Sequence, residues 1–510
     1  VVKTPRLFSL PTSILVGSAL AVAGAVAAPP AGAASIKAVG SWSMVPLTKD
    51  TNRDGVIDGD GGVPSTGALS AQPSGTYVGA GNRVAQPNER LIGGTTSWYL
   101  PDSGFPVHLD ACKSIGQQYH WTASQGGTQV SATPWQRLSK KSCTAELNLA
   151  NAPTVLTLEV RSGAATATTT INATPRGLII VALGDSYSSG EGNPRNVQAW
   201  LQGNVPFRPY WDNDACHRSV LGAPAQAALA LEKSSPKTSV EFIDLACSGA
   251  TVNAGVLGPQ SAAGQATSQA EQAAAILGDR AADAVILQVG GNDVGFGSLL
   301  GSCVLNVDCP LARAAFPPLS AYKNVQDGIQ AETGKLPAAY ARIAACLGGT
   351  ACVLADGRRT SGLRLNPGAK VLPVMYPDLT RNSNGAPCTY LTLTQGDFAW
   401  ARDTILVPNP GATYSYASTK GPVSLSLAQG TLNGQIGRTG GQLGWAPVTG
   451  AWDASGTSSI GHGVCAGPQA WVFGVTALSG FSSASFHPNP VGVAAMAKAI
   501  QAALRVSIGS

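Results

Sequence analysis

After Pro175 the chain alternates short, wholly apolar runs with segments of helical spacing, and this alternation restricts its fold more than any other feature. The runs 177–183 (GLIIVAL), 239–246 (SVEFIDLA), 283–289 (DAVILQV) and 369–376 (AKVLPVMY) predict strands. The segments 220–233, 268–279, 336–348 and 491–508 carry apolar residues at the period of a helix. Strands that are apolar on both faces are buried on both faces, which implies a parallel sheet covered by helices. Such sheets bind ligands outside the carboxyl ends of their strands.

Small polar residues stand at those ends. GDS leaves Ser186 past the first strand, CSGAT leaves Gly249 past the second, and GGND leaves Asn292 past the third. His487, in FHP, precedes the last helical segment. A serine hydroxyl needs a base within hydrogen-bond reach to become a nucleophile, and a neutral imidazole can take its proton and return it to a leaving group. A tetrahedral intermediate then needs donors aimed at its oxyanion. The amides of Ser186 and Gly249 and the side chain of Asn292 are the candidates. A nucleophile elbow of the form GxSxG is excluded, because position 188 is Ser188. Asp185 is expected to hold the turn through backbone hydrogen bonds.

The blocks GDSYSSGEG, ACSGAT, GGND and FHP resemble those of the SGNH, or GDSL, hydrolases over about residues 176 to 508. CHRS after the first block, GGNDVGF, and GHGVC before Trp471 make the chain look most similar to secreted actinobacterial-type esterases and lipases. The resemblance implies a three-layer α/β/α flavodoxin-like domain, with Ser186 as nucleophile and His487 as base. It also implies an oxyanion hole of Ser186, Gly249 and Asn292. Members of the family commonly carry Asp three residues before the His, where this chain has Ala484. Some secreted members use a main-chain carbonyl, so the Ala484 carbonyl is the expected partner of His487 Nδ1, with Asp378 and Asp453 as alternative carboxylates.

The resulting expectation is hydrolysis of carboxylic esters through an acyl-enzyme on Ser186, with no cofactor for catalysis. A lipid or short-acyl ester is the expected substrate. Deacetylation of a polysaccharide, acyl transfer to an alcohol, and non-catalytic surface binding by a degenerate hydrolase are the alternatives. Trp200, Phe207, Tyr210 and Trp211, with Tyr187, read equally as an acyl groove or as packing for a loop.

The remainder of the 510 residues differs in kind. Residues 36–175 show period-2 runs between turn residues, such as QYHWTAS and TVLTLEV, and predict a small all-β, sandwich-like domain. Cys112, Trp121 and Cys143 give it a slight resemblance to an immunoglobulin core. Residues 386–465 form a Gly-, Ser- and Thr-rich insertion in the second domain, which spans 176–510. Lys3 and Arg6, the apolar run 14–28 and AGA at 31–33 predict a signal peptide over 1–33 and hence a secreted protein. No later run is long enough to span a membrane, and a monomer is expected.

Ten cysteines suit an exported chain and fall into local pairs: Cys112–Cys143, Cys216–Cys247, Cys303–Cys309, Cys346–Cys352 and Cys388–Cys465. The spacing leaves connectivity open, because Cys303 and Cys309 can cross to Cys346 and Cys352. Zinc is disfavoured, since no CxxC pair exists. In DTNRDGVIDGDGG, Asp50, Asn52, Asp54, Val56 and Asp58 keep the register of an EF-hand calcium loop, but Gly61 replaces the bidentate Glu and Asp60 comes one place early. A weak structural calcium site and a plain acidic loop are the two readings. A net charge of +5 without a Lys/Arg cluster argues against nucleic acid as a partner.

Overall fold

The structure, a computed structural model, describes residues 35–48, 82–86, 104–203, 207–348, 351–449, 459–476 and 481–508. The segment read as a signal peptide, the candidate calcium loop and Asp453 lie outside the described residues.

The four expected apolar runs form one sheet in which every pairing is parallel. Its order is Thr238–Asp244, Arg176–Gly184, Ala282–Gln288, Leu365–Pro373, so the first strand in the chain lies inside and the second at an edge. The chain leaves the first strand in one direction and returns on its other side. That reversal opens a crevice at the carboxyl ends of the first and third strands. Ile180, Val181, Ala182 and Leu183 of the first strand are fully buried, which explains the absence of polar alternation. Helix Ala223–Glu232 packs on the edge strand and on the C-terminal helix Pro490–Ile508, which also packs on the last two strands. Gln269–Leu277 packs on the first strand, and Ser268 and Glu271 close its amino end with a capping box.

The N-terminal region is antiparallel, as its alternation predicts. Ser41–Met44, Phe105–Asp110 and Thr144–Leu149 form one sheet. Gln118–Gln125 pairs with Thr128–Ala132, Gln136–Arg137 and Thr154–Ser162, and the last of these pairs with Ala165–Ala173. Val107, Leu109, Tyr119, Trp121, Leu156 and Leu158 share a separate core. Trp121 is buried there, but Cys112 is exposed and its bridge lies outside that core, unlike an immunoglobulin bridge. This region docks on the α/β unit through Leu47, Val84 and Ala85, which join that unit's core, and through polar contacts. Asn151 exchanges two hydrogen bonds with the backbone of Gly177, and Lys237 lies 3.7 Å from the Trp42 ring centroid.

All five cysteine pairs form in the local pattern, without the crossover. Cys388–Cys465 ties the two ends of the insertion, which is more ordered than its composition suggests. It contains helix Gln395–Ala401 running into a π-helical turn Arg402–Leu406, the hairpin Thr413–Ser418 with Gly421–Ser426, and helix Leu432–Gln442.

Candidate active site

The turn after the first strand is drawn onto the third. Gly184 has φ +142°, and a Cβ there would lie 2.0 Å from the Gln288 carbonyl oxygen. Only glycine fits, and the next amide, Asp185 N–H, donates to that same carbonyl at 2.9 Å. A helical turn Ser186–Ser189 then begins, with Asp185 Oδ1 accepting from Tyr187 N–H at 3.1 Å as its cap. The second Asp185 oxygen accepts from the Tyr376 hydroxyl, which itself accepts from Gly291 N–H at 2.9 Å. Burial pushes the Asp185 carboxyl up to about 7, against the hydrogen bonds from Tyr376 and the Tyr187 amide.

His487 meets this turn. Its Nε2 lies 2.8 Å from Ser186 Oγ. Its Nδ1 lies 3.0 Å from the carbonyl of Ser485, not of Ala484. The Ala484 carbonyl instead accepts the backbone N–H of His487, at 3.0 Å. The shift follows from Phe486, whose φ of 61° turns the chain and brings the Ser485 carbonyl under the ring. Asp378 is not the third member. It is buried and engaged with Thr380 and Arg381. The nucleophile segment fixes both carbonyls flanking His487: Tyr187 OH donates to Phe486 O and Asn193 Nδ2 to Pro488 O, each at 2.7 Å. Burial holds the imidazole below its usual pKa, opposed by the charge of Glu191 and the Ser485 hydrogen bond.

The three expected oxyanion donors are free to act. Among the described residues, neither Ser186 N–H nor Gly249 N–H has an acceptor. Asn292 uses one of its two amide hydrogens on the Ala250 carbonyl, at 3.0 Å, which leaves the other. Gly249 has φ +80°, and a Cβ there would meet only Gln260 Nε2 at 3.5 Å. Asp293, which the sequence reading did not single out, accepts Val252 N–H on both oxygens at 3.1 and 3.2 Å. Asn292 and Asp293 thus clamp the loop carrying Gly249 onto the end of the third strand. The signal for Asp293 was its place beside Asn292 in GGND.

One small apolar cavity adjoins Ser186, and a second lies beside the first. The first, of about 30 Å³, is bounded by Ser186, Asn292 and Tyr187; the second, of about 50 Å³, reaches Phe398 and Trp400 of the insertion. They share the walls Phe296, Leu299, Leu379, Ile405 and Leu406. On the other side of Asn292 lies an open groove of about 690 Å³ with Thr251, Asn253, Glu332, Lys335 and Arg342. Of the aromatics weighed as an acyl groove, only Tyr187 lines either apolar cavity. Trp200, Phe207 and Trp211 pack with Phe473, Phe481 and Ala484, bracing the loop that carries His487. Among the described residues no group of three His, Cys, Asp or Glu is placed to hold a metal ion.

No family model and no curated protein matches this chain. Among solved structures it is similar to a family two carbohydrate esterase from Clostridium thermocellum in complex with cellohexaose, with a TM-score of 0.26 and 11% identity over 80% of this chain and 93% of that one. A second carbohydrate esterase, described as having an active site with divergent catalytic and non-catalytic binding functions, gives 0.18 and 12% over 53% and 71%. Similarity at these TM-scores assigns neither fold nor activity.

Proposed function

We propose that this chain is an exported serine ester hydrolase of the SGNH type, acting on carboxylic esters through an acyl-enzyme on Ser186. The observation that carries the reading is the 2.8 Å contact between His487 Nε2 and Ser186 Oγ, beside three unused N–H donors. Ser186 Oγ attacks the ester carbonyl and passes its proton to His487 Nε2. The oxyanion is received by Ser186 N–H, Gly249 N–H and the free Asn292 amide hydrogen. Collapse expels the alcohol, which takes the proton from His487. Water, deprotonated by the same imidazole, then releases the carboxylic acid and restores Ser186. The Ser485 carbonyl is a dipole and stabilises the imidazolium less than a carboxylate does.

The apolar cavity at Ser186 and the one beside it favour an acyl chain as the part of the substrate that is buried, and the five disulfides suit an oxidising compartment. The polar groove beside Asn292 is the observation that favours the second reading, an acetylated saccharide. A panel of p-nitrophenyl esters of increasing chain length, run beside acetylated sugars, separates the two. Ser186→Ala is expected to abolish turnover and labelling by a fluorophosphonate while leaving the fold intact. A variant that still turns over esters at the wild-type rate refutes the nucleophile.

A further inference from the structure

Glu191 is 1% exposed and stands one turn beyond the nucleophile, its N–H donating to Ser186 O at 3.0 Å. The two residues after it press on the other side of the base: a Cβ on Gly192 would lie 3.0 Å from the Pro488 carbonyl, and Asn193 bonds that carbonyl. Glu191 therefore lies in the seam between Ser186 and the His487 loop. Its Oε2 is 2.7 Å from His217 Nδ1, and the Ser248 side chain lies on the same buried carboxylate. His217 stacks on Trp211 with ring centroids 4.9 Å apart and planes 7° from parallel, and Trp211 packs on Phe481 and Ala484 of the base loop. The neighbouring Cys216–Cys247 bridge and the Ser248 N–H to Cys216 O bond of 2.9 Å join this unit to the loop of Gly249.

We propose that Glu191, held by His217, is a positioning residue that supplies through space the negative charge absent from the Nδ1 side of His487. This rests on the hydrolase reading above. When His487 takes the Ser186 proton, a dipole faces its Nδ1, and among the described residues Glu191 is the carboxylate whose charge favours the imidazolium. An acid buried to this degree without a partner would take up a proton. Burial acts to raise Glu191, but the His217 and Ser248 hydrogen bonds and the charges of His487 and His217 hold it below the ordinary carboxylate range. His217 is raised, first by its bond to Glu191, and also faces Asp214. Arg195 and Asp212, on the same two segments, are paired with each other. Ser248, His217 and His487 are thus the groups facing Glu191.

The test is the pH profile of kcat/KM for p-nitrophenyl acetate. Activity falls at low pH as His487 protonates. Glu191→Gln removes the charge that favours the imidazolium, so the acid limb is expected to move to lower pH by about 0.5–1 unit. The plateau kcat is expected to fall about tenfold, as weaker base catalysis predicts. A packing role alone lowers activity and leaves the limb in place, and that result overturns the proposal. Loss of activity in Ser186→Ala, measured in parallel, checks the parent reading independently. Should Glu191→Gln fold poorly, the wild-type protein suffices. It has five histidines, and ¹⁵N-histidine titration is expected to show the His487 resonance responding as His217 titrates. Two independent single-site curves reject the coupling.

Discussion

The Tyr376 hydroxyl donates to buried Asp185 and accepts the Gly291 amide at 2.9 Å, joining the turn of Ser186 to the turn of Asn292 through one oxygen. Removing it leaves two buried polar groups short of a partner. Tyr376→Phe is therefore expected to cost about 1–3 kcal/mol in denaturant unfolding. It should also lower kcat more than it raises KM, because nucleophile and oxyanion donor lose their common reference. Unchanged kcat together with full stability would refute this role.

Asp185 belongs to a set of buried carboxyls whose pKa is raised by burial, with Glu232 and Asp244 also at about 7 and Asp293 at about 6. The sign follows from linkage. In the folded state these groups bind protons up to pH 6–7, whereas unfolded they release them near 3.8 for Asp and 4.5 for Glu. The stability they contribute is full below the unfolded values and is lost as pH rises through the folded ones. Thermal midpoints are therefore expected to climb as pH falls from about 7 to about 5. A midpoint that falls steadily over that window contradicts the assignment.

The oxyanion donors can be separated from the base by kinetics. Asn292→Ala is expected to lower kcat by roughly 10²–10³ with little change in KM if, as proposed, its unused amide hydrogen meets charge present only in the transition state. Asp293→Asn keeps the side chain but weakens the grip on Val252 N–H, and should lower kcat less. Equal effects of the two would indicate a fold defect. Burst-phase kinetics with p-nitrophenyl esters make the comparison.

Gly184 tests the turn geometry. Gly184→Ala would place a methyl 2.0 Å from the Gln288 carbonyl oxygen at a φ of +142°. The expected cost is about 2–4 kcal/mol, from overpacking and backbone strain together. A Cβ on Gly249 would touch only Gln260 Nε2, at an ordinary 3.5 Å, so Gly249→Ala carries the strain of φ +80° without a clash and should retain stability better and lose activity instead. Chemical denaturation of both variants gives the ranking, and the reverse order would exclude this account.

What the sequence revealed follows from how local each signal is. The strand Arg176–Gly184 was legible because a fully buried parallel strand leaves an uninterrupted apolar run. Helix Leu432–Gln442 was not, since LNGQIGRTGGQ is rich in glycine, the residue least suited to helices after proline. Its glycines are used for close approach: a Cβ on Gly434 would lie 2.7 Å from the Pro408 carbonyl and one on Gly437 2.8 Å from Met375 Cε. Chemistry and motif single out Ser186, Asn292 and His487, of which Ser186 and His487 stand within hydrogen-bond reach. The Ser485 carbonyl was missed because it depends on the positive φ of Phe486, and a lone phenylalanine announces no such turn. The Glu191–His217 contact joins residues 26 positions apart, and no periodicity encodes it.

On the proposed hydrolase, the insertion is the element that would limit how far an acyl chain reaches. Ile405 and Leu406 occupy the π-helical turn Arg402–Leu406 and form walls of both cavities, so they stand between the cavity at Ser186 and the one at Phe398 and Trp400. A π-turn displaces side chains from their α-helical positions and is frequent at functional sites. Ile405→Trp adds bulk at this shared wall. It is expected to leave hydrolysis of p-nitrophenyl acetate within about twofold and to depress octanoate and longer esters by about tenfold or more, since each excluded methylene forfeits roughly 0.8 kcal/mol of burial. Ile405→Ala should do the opposite, raising kcat/KM for long chains relative to acetate. The ratio of octanoate to acetate kcat/KM in the two variants is the measurement. A ratio that moves in neither variant would show that the acyl chain does not enter beneath the insertion.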